Sequence, residues 1–290
     1  MPFWELTVPA SPEISEGLTN FLWELGALGV VEEEVSSRPP RLRAFFPEAT
    51  SSTALSRAVS NYLASLRALG LTANGGEPLV APLLDEPWAE AWRQAFAPQR
   101  VGRRLLIVPP WETPTTETGL TPIIIEPGRA FGTGTHGSTR GCLELLEALL
   151  DRQPAAHALD IGTGTGILAI AAVALGVQRA TALDMDPDAV AAARVNAKLN
   201  GAANQIDCIL ADVVGLEGFA LALVLANLLA ASHLSLASQY RRLVSPAGHL
   251  ILGGILTEEA ASLKETLARF GFAFAEQAEI DGWVSLLLTG

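Results

Sequence analysis

Residues 158–186 constrain this chain more than any other stretch. A short apolar run ends at Asp160, Gly162, Gly164 and Gly166 follow at alternate positions, and an Ala/Leu/Ile-rich run continues to Leu175 before Gly176 stops it. A second apolar run, Ala180 to Leu183, ends at Asp184. Strand, glycine-rich turn, helix and second strand make the first βαβ half of a nucleotide-binding α/β sheet. Glycines in the turn let the backbone approach a ligand closely, and the start of the helix presents N–H groups that have no intrahelical partner. Asp184 falls 18 residues beyond Gly166, about where an acid at the end of a second strand would accept both hydroxyls of a ribose.

The spacing of the glycines separates two kinds of ligand. A dinucleotide fingerprint has its third small residue five positions after the first. Here that position is Ile167, and the third glycine comes one earlier. Asp160-x-Gly162-x-Gly164-x-Gly166 instead resembles the first motif of S-adenosylmethionine-dependent methyltransferases. For the glycine run alone, a tight strand-to-helix turn with no ligand is the plain alternative.

A chain of 290 residues suits one large domain or two unequal ones, and 49% hydrophobic content in alternating apolar and polar blocks argues for a globular protein with a sizeable core. The net charge of −12 disfavours nonspecific binding to nucleic acid and is compatible with a basic protein partner. Cys142 and Cys208 give neither a disulfide framework nor metal-ligand spacing, and the four histidines are scattered, so a reducing compartment and no metal are expected. The first residues have no basic region followed by a long apolar one. Phe219 to Ala231, the most membrane-like stretch, is too short to span a bilayer and contains Asn227. A cytoplasmic protein with no membrane partner is expected.

The first third reads as β-α-β-β-α-β, the order of a small α+β ferredoxin-like module. Its strands are expected over Phe3–Val8, Val30–Val35, Leu42–Phe46 and Pro78–Leu84. Its helices are expected from Pro12, capped by Ser11, to about Leu25 and over Thr53–Leu69. Nothing in this module looks catalytic, so it is expected to recognise a substrate or to serve as a folding appendage. Residues 85–97 read as a linker helix with Trp88, Trp92 and Phe96 on one face. The expected organisation is therefore a module over 1–84, the linker, and an α/β domain over 98–290, in which Pro98, Pro109, Pro110 and Pro114 first keep the chain in short extended pieces.

Residues 126–139 carry a second signature, with four glycines, three threonines and His136 in one loop. A helix follows from about Ser138 to Leu150, with Thr139 in its first turn. Glu126-Pro-Gly-x-Ala-Phe-Gly-Thr-Gly-Thr-His followed by Thr139 resembles the signature of the PrmA family, methyltransferases of the eleventh protein of the large ribosomal subunit. The likeness extends to Trp88-x-Glu90-x-Trp92, Pro109-Pro-Trp111, the Asp160 motif, Asp184-Met-Asp-Pro, Asn196-Ala-Lys-Leu-Asn-Gly, Ala226-Asn227-Leu228, Gly254-Ile-Leu and Gly282-Trp283. It is close from Trp88 onward and loose before. The resemblance implies a class I methyltransferase-type, seven-stranded Rossmann-like sheet, with S-adenosyl-L-methionine as cofactor. It carries the cofactor contacts to Thr139, Gly162 with its neighbour Gly164, Asp184 and Asn227. Asp184 would take the ribose, and Thr139 and Asn227 would flank the site of methyl transfer. Asp212, where an acid would contact adenine, lies in a weakly defined part of the pattern.

Leu221–Ala226 is continuously apolar, as a strand buried on both faces should be, so Asn227 stands at a strand's C-terminal end, where ligands bind in open α/β sheets. A simple cap for the following helix is the plain alternative. As a catalytic group its amide would accept an amine N–H and aim the lone pair without adding charge. Leu228 and Leu229 follow it, where methyltransferases of glutamine or adenine carry two prolines, which favours an alkyl amine: lysine or an N-terminal amino group. The resemblance implies action on the eleventh large-subunit protein; a monomer with no direct need for nucleic acid is expected. A same-fold enzyme acting on another protein or a small amine is the main alternative, and a nicotinamide binder or a non-catalytic module fits the two signatures less well.

Overall fold

The computed structural model describes residues 3–33, 40–47, 50–71, 76–83, 96–112, 119–128, 130–216 and 220–290, which form two compact units, Met1–Phe96 and Ala97–Gly290. The expected linker helix with Trp88 and Trp92, and the turns at Arg38-Pro39 and Asn74-Gly75, lie outside the described residues.

In the first unit, strands β1 (Phe3–Pro9), β2 (Gly29–Glu33), β3 (Arg41–Pro47) and β4 (Leu79–Leu83) form one antiparallel sheet in the order β2-β3-β1-β4. The helices α1 (Pro12–Glu24) and α2 (Ser52–Ala68) complete the β-α-β-β-α-β order. Period-two alternation puts Leu6 and Val8 opposite Ala44 and Leu42 on one face. Ile14, Leu18 and Leu22 of α1, and Leu55, Val59 and Leu63 of α2, recur at helical spacing and close over that face as a single buried cluster. On the alternate positions Glu5 accepts a hydrogen bond from Arg43 at 2.6 Å, and that guanidinium also lies 5.6 Å from the centre of the Phe45 ring.

The second unit opens with a small sheet of β5 (Gln99–Val101), β6 (Leu105–Val108) and β7 (Thr121–Ile124), in that order. The sequence suggested only extended pieces here, because strands of three and four residues among prolines are too short to show a period. What fixes them is a tertiary contact. Glu147, buried on helix α3 (Gly137–Leu150), accepts hydrogen bonds from the backbone N–H groups of Arg103 and Arg104 at 2.7 and 2.8 Å, holding the β5–β6 turn against the helix.

The main sheet contains β8 (His157–Ile161), β9 (Arg179–Asp184), β10 (Ile206–Leu210), β11 (Leu221–Asn227), β12 (Val244–Leu256), β13 (Ala273–Ile280) and β14 (Trp283–Thr289), ordered β10-β9-β8-β11-β12-β14-β13. The first five in that order are parallel, and β14 is antiparallel to both of its neighbours. Asp281 and Gly282, both at positive φ, make the β13–β14 turn that Asp-Gly favours. Alternate strand residues feed two cores. Ala158, Ala182, Leu223 and Leu225 pack with α3 and α4 (Ile167–Ala174), while Leu159, Ile161, Val224 and Ala226 pack in the cluster that includes Tyr240 of α6 (Ala230–Leu243) and Leu263 of α7 (Ala260–Arg269). This is why β11 carries no polar residue before Asn227. The strand order reverses between β8 and β11, so the C-terminal ends of those strands flank a crevice.

Candidate active site

The glycine-rich turn between β8 and α4 is shaped by two carboxylates at neighbouring strand ends. The N–H groups of Gly162 and Thr163 both donate to the Leu183 carbonyl, at 2.8 and 3.0 Å, folding the turn over the end of β9. Asp160 Oδ2 accepts from the Thr163 hydroxyl at 2.6 Å and from the Ala169 N–H at 3.3 Å. Asp184 Oδ2 accepts from the Gly164 N–H at 2.9 Å and its Oδ1 from the Asp186 N–H at 3.0 Å. Each Asp184 oxygen therefore keeps a lone pair for a further donor, and the residue is half-buried. Burial lifts the Asp160 carboxyl to about 7, with the Asp184 charge adding to the lift.

The second signature lies on this turn. Gly164, at φ +54, has no room for a Cβ because the Phe131 carbonyl oxygen occupies the place one would take. Its glycine is thus required by the approach of another backbone as well as by its φ. Thr165 binds the same loop, its N–H donating to the Phe131 carbonyl at 2.9 Å and its hydroxyl to the Gly132 carbonyl at 2.6 Å. Asn196 and Asn200, one turn apart on helix α5 (Pro187–Leu199) and its C-cap, hold the start of the loop. Asn196 accepts from the Glu126 N–H at 2.9 Å and donates to the Thr165 carbonyl at 2.9 Å. Asn200 accepts from the Ile124 N–H at 2.8 Å and donates back to its carbonyl at 2.6 Å, as a neighbouring strand would. Sequence reasoning quoted these asparagines as part of a motif without a role. The available signal was two amides four residues apart in a helix otherwise rich in alanine.

Across the crevice, Asn227 ends β11. It does not cap α6, whose N-cap position is taken by Leu229. Its Nδ2 donates to Thr139 Oγ1 at 3.2 Å, while its Oδ1 is buried and has no hydrogen-bond partner among the described residues. Thr139 is fully buried in the first turn of α3 and does not cap that helix; His136 does, with Nδ1 accepting from the Ser138 N–H at 3.4 Å. Burial lowers the His136 pKa, so the ring is neutral at physiological pH. The His136 ring stands edge-on to Phe131 and to Trp283, with centroids at 5.5 and 4.7 Å. Behind Asn227, Gly253 and Gly254 have no room for a side chain: a Cβ on Gly253 would meet Cys142 Sγ and one on Gly254 the Leu228 carbonyl, with Asn227 Oδ1 2.9 and 3.2 Å away. The Gly253 carbonyl is in turn held by the buried His233, 2.8 Å from Nε2, and Tyr240 lies 2.9 Å from His233 Nδ1. Burial pushes His233 down to about 4, so it stays neutral, with Nε2–H donating to the carbonyl. Neither His233 nor Tyr240 was singled out from the sequence.

The five expected site residues thus fall into two pairs and a link. Gly164 meets Asp184, Thr139 meets Asn227, and Gly162 faces the side chain of Leu228, the residue after Asn227. Asp212 is exposed and follows Ala211, whose N–H donates to the Asp184 carbonyl at 2.9 Å; its own carboxylate accepts from the Val214 N–H at 3.0 Å.

The groups at the crevice suit an adenosyl sulfonium. The Asp184 oxygens have capacity for two hydroxyls, and two buried polar atoms beside β8 and β11, Asp160 Oδ1 and Asn227 Oδ1, are without partners among the described residues. The antiparallel β14, inserted between β12 and β13, distinguishes this sheet from an all-parallel dinucleotide-binding one. The sheet and its crevice define a class I methyltransferase, an enzyme that draws its methyl group from S-adenosylmethionine.

The family model described as ribosomal protein L11 methyltransferase (PrmA) matches residues 2–289. A Geobacter metallireducens protein of that name is 46% identical over 211 residues, covering 72% of this chain and 68% of that one. One from Pelobacter propionicus is 37% identical over 286 residues, covering 94% of this chain and 91% of its own. The crystal structure of ribosomal protein L11 methylase from Lactobacillus delbrueckii subsp. bulgaricus aligns with a TM-score of 0.59 at 29% identity, covering 65% of this chain and 95% of that one. The chain belongs to the PrmA family.

Proposed function

We propose that this protein methylates lysine and N-terminal amino groups of the eleventh protein of the large ribosomal subunit, using S-adenosylmethionine. The observation that carries the chemistry is the unpartnered, buried Oδ1 of Asn227 at the C-terminal end of a central strand. The names of relatives covering most of the chain support the acceptor.

The cofactor supplies a methyl group already activated as a sulfonium, so the protein's task is positioning and exclusion of water. Asp184 accepts the ribose hydroxyls with the lone pairs left free by Gly164 and Asp186. Thr139 fixes the Asn227 amide plane through Nδ2, and Oδ1, buried beside Gly253 and Gly254, accepts an amine N–H and aims its lone pair once the bound acceptor uncovers it. Being fully buried, Thr139 acts through Asn227 rather than as an open contact. The neutral amide adds no charge that would favour an ammonium ion, so the acceptor reacts after losing its proton to solvent.

The four-stranded module recognises the protein acceptor in this reading, and the net charge of −12 suits a basic partner. No nucleic acid or membrane is needed, the enzyme acts as a monomer, and its place is the cytoplasm. No described helix is long and apolar enough to cross a membrane.

The test is transfer of labelled methyl from S-adenosylmethionine to separated large-subunit proteins, with Asp184→Ala as control. Label on the eleventh protein, lost in the variant, is expected. Label on a different protein would move the acceptor, and equal labelling by the variant would remove Asp184 from the cofactor site.

A further inference from the structure

We propose that Asn196 is a positioning residue for cofactor binding, a single amide that clamps the glycine-rich turn to the start of the 126–136 loop. The inference rests on the cofactor site argued above, and concerns what gives that site its shape.

The geometry leaves the amide one orientation. The Glu126 N–H can only donate and the Thr165 carbonyl can only accept, so Oδ1 faces the former and Nδ2 the latter, each at 2.9 Å. Asn196 is 1% exposed, so water cannot replace it at either backbone group. Thr165 stands between Gly164, whose N–H is committed to Asp184, and Gly166, whose Cα leaves room for a Cβ only 3.2 Å from Ala193 of the same helix. Asn196 therefore joins, through one side chain, the loop to the turn that orients Asp184. Thr165 closes the arch at its other end through Phe131 and Gly132. Asn200 supplies an internal control. It binds Ile124 with equally good geometry but its side chain makes no bond to the glycine-rich turn.

The experiment is calorimetric titration of the full chain with S-adenosylmethionine, together with steady-state kinetics, for Asn196→Asp, Asn196→Ala, Asn200→Ala and Asp184→Ala. Asn196→Asp keeps the acceptor for Glu126 and sets a carboxylate oxygen against the Thr165 carbonyl. We expect both Asn196 variants to lose about tenfold or more in cofactor affinity, with kcat at saturating cofactor and KM for the protein acceptor changed by less than about threefold. Asn200→Ala should lower stability with cofactor affinity kept within about threefold. Amide exchange in Asn196→Ala should quicken at Glu126 and stay unchanged along β11 and β12, a pattern that general destabilisation does not give.

Cofactor affinity within about twofold of wild type in both Asn196 variants, or an equal loss in Asn200→Ala, overturns the clamp. A fall in kcat as large as the fall in affinity overturns it as well, because a pure cofactor-positioning role acts on binding. If Asp184→Ala binds normally, the cofactor-site reading fails and the clamp goes with it. If Asp184→Ala loses affinity and the Asn196 variants do not, only the clamp is lost.

Discussion

Asp160 is the acid of the first motif, and its burial makes a quantitative prediction about stability and pH. Burial raises the carboxyl to about 7, outweighing the hydrogen bonds from Thr163 and Ala169 that lower it. In the unfolded chain the same group titrates near about 3.9. Between these values the folded state holds the proton that the unfolded state has lost, so stability falls as pH rises through the interval. Integrating from about pH 5.5 to about pH 7.5, a range above the isoelectric point of 4.8, gives a loss of about 2 kcal/mol from this group alone. Asp160→Asn is nearly isosteric, can keep an oxygen facing the Thr163 hydroxyl and the Ala169 N–H, and cannot ionise. Urea unfolding of the cofactor-free protein should therefore show the variant gaining about 2 kcal/mol on the wild type across that range. His233 works in the opposite direction. Burial holds it near 4 when folded, so its contribution is present above the unfolded value of about 6.5 and is lost as pH falls toward 4. It is common to both proteins and cancels in the difference. A difference that stays flat to within about 0.5 kcal/mol would mean that Asp160 ionises normally in the folded protein, and would refute the burial argument.

Three further outcomes are expected. Thr139→Val keeps the shape of the buried side chain but removes the acceptor of Asn227 Nδ2; kcat should fall about tenfold to a hundredfold with a smaller change in cofactor affinity, measured by single-turnover methyl transfer. Glu147→Ala leaves the Arg103 and Arg104 N–H groups without their buried acceptor and should destabilise the second unit by about 3 kcal/mol in denaturant melts, with little change in the first. Methyl transfer to lysine should rise by up to about tenfold per pH unit through neutrality, because the amine, with a free pKa of about 10.4, must first lose its proton; a rate flat from about pH 6 to about pH 9 would argue that the enzyme itself carries that proton away.

Local patterns sufficed wherever the physics was local. The apolar blocks, the turn glycines and the strand-end acids fixed the βαβ half around Gly162, Gly164 and Asp184. The period-two alternation of Leu6 and Val8 and the helical spacing of Leu55, Val59 and Leu63 fixed the four-stranded module. Asn227 stood out because a polar residue closing a continuously apolar strand marks the edge of a buried sheet. The tertiary structure alone decided who holds whom. Asn196 and Glu126 are 70 residues apart, Asn227 and Thr139 are 88 apart, and Glu147 reaches Arg103 across 44. No period or propensity encodes such pairings, because each depends on two elements packing at a particular register. The tertiary structure also showed that Gly164 is glycine partly because the Phe131 carbonyl fills the place of a side chain, and that the fully buried Thr139 meets the half-buried Asn227 at the end of β11. Residue types set which groups could do chemistry here; the packing of the sheet set the distances at which they meet.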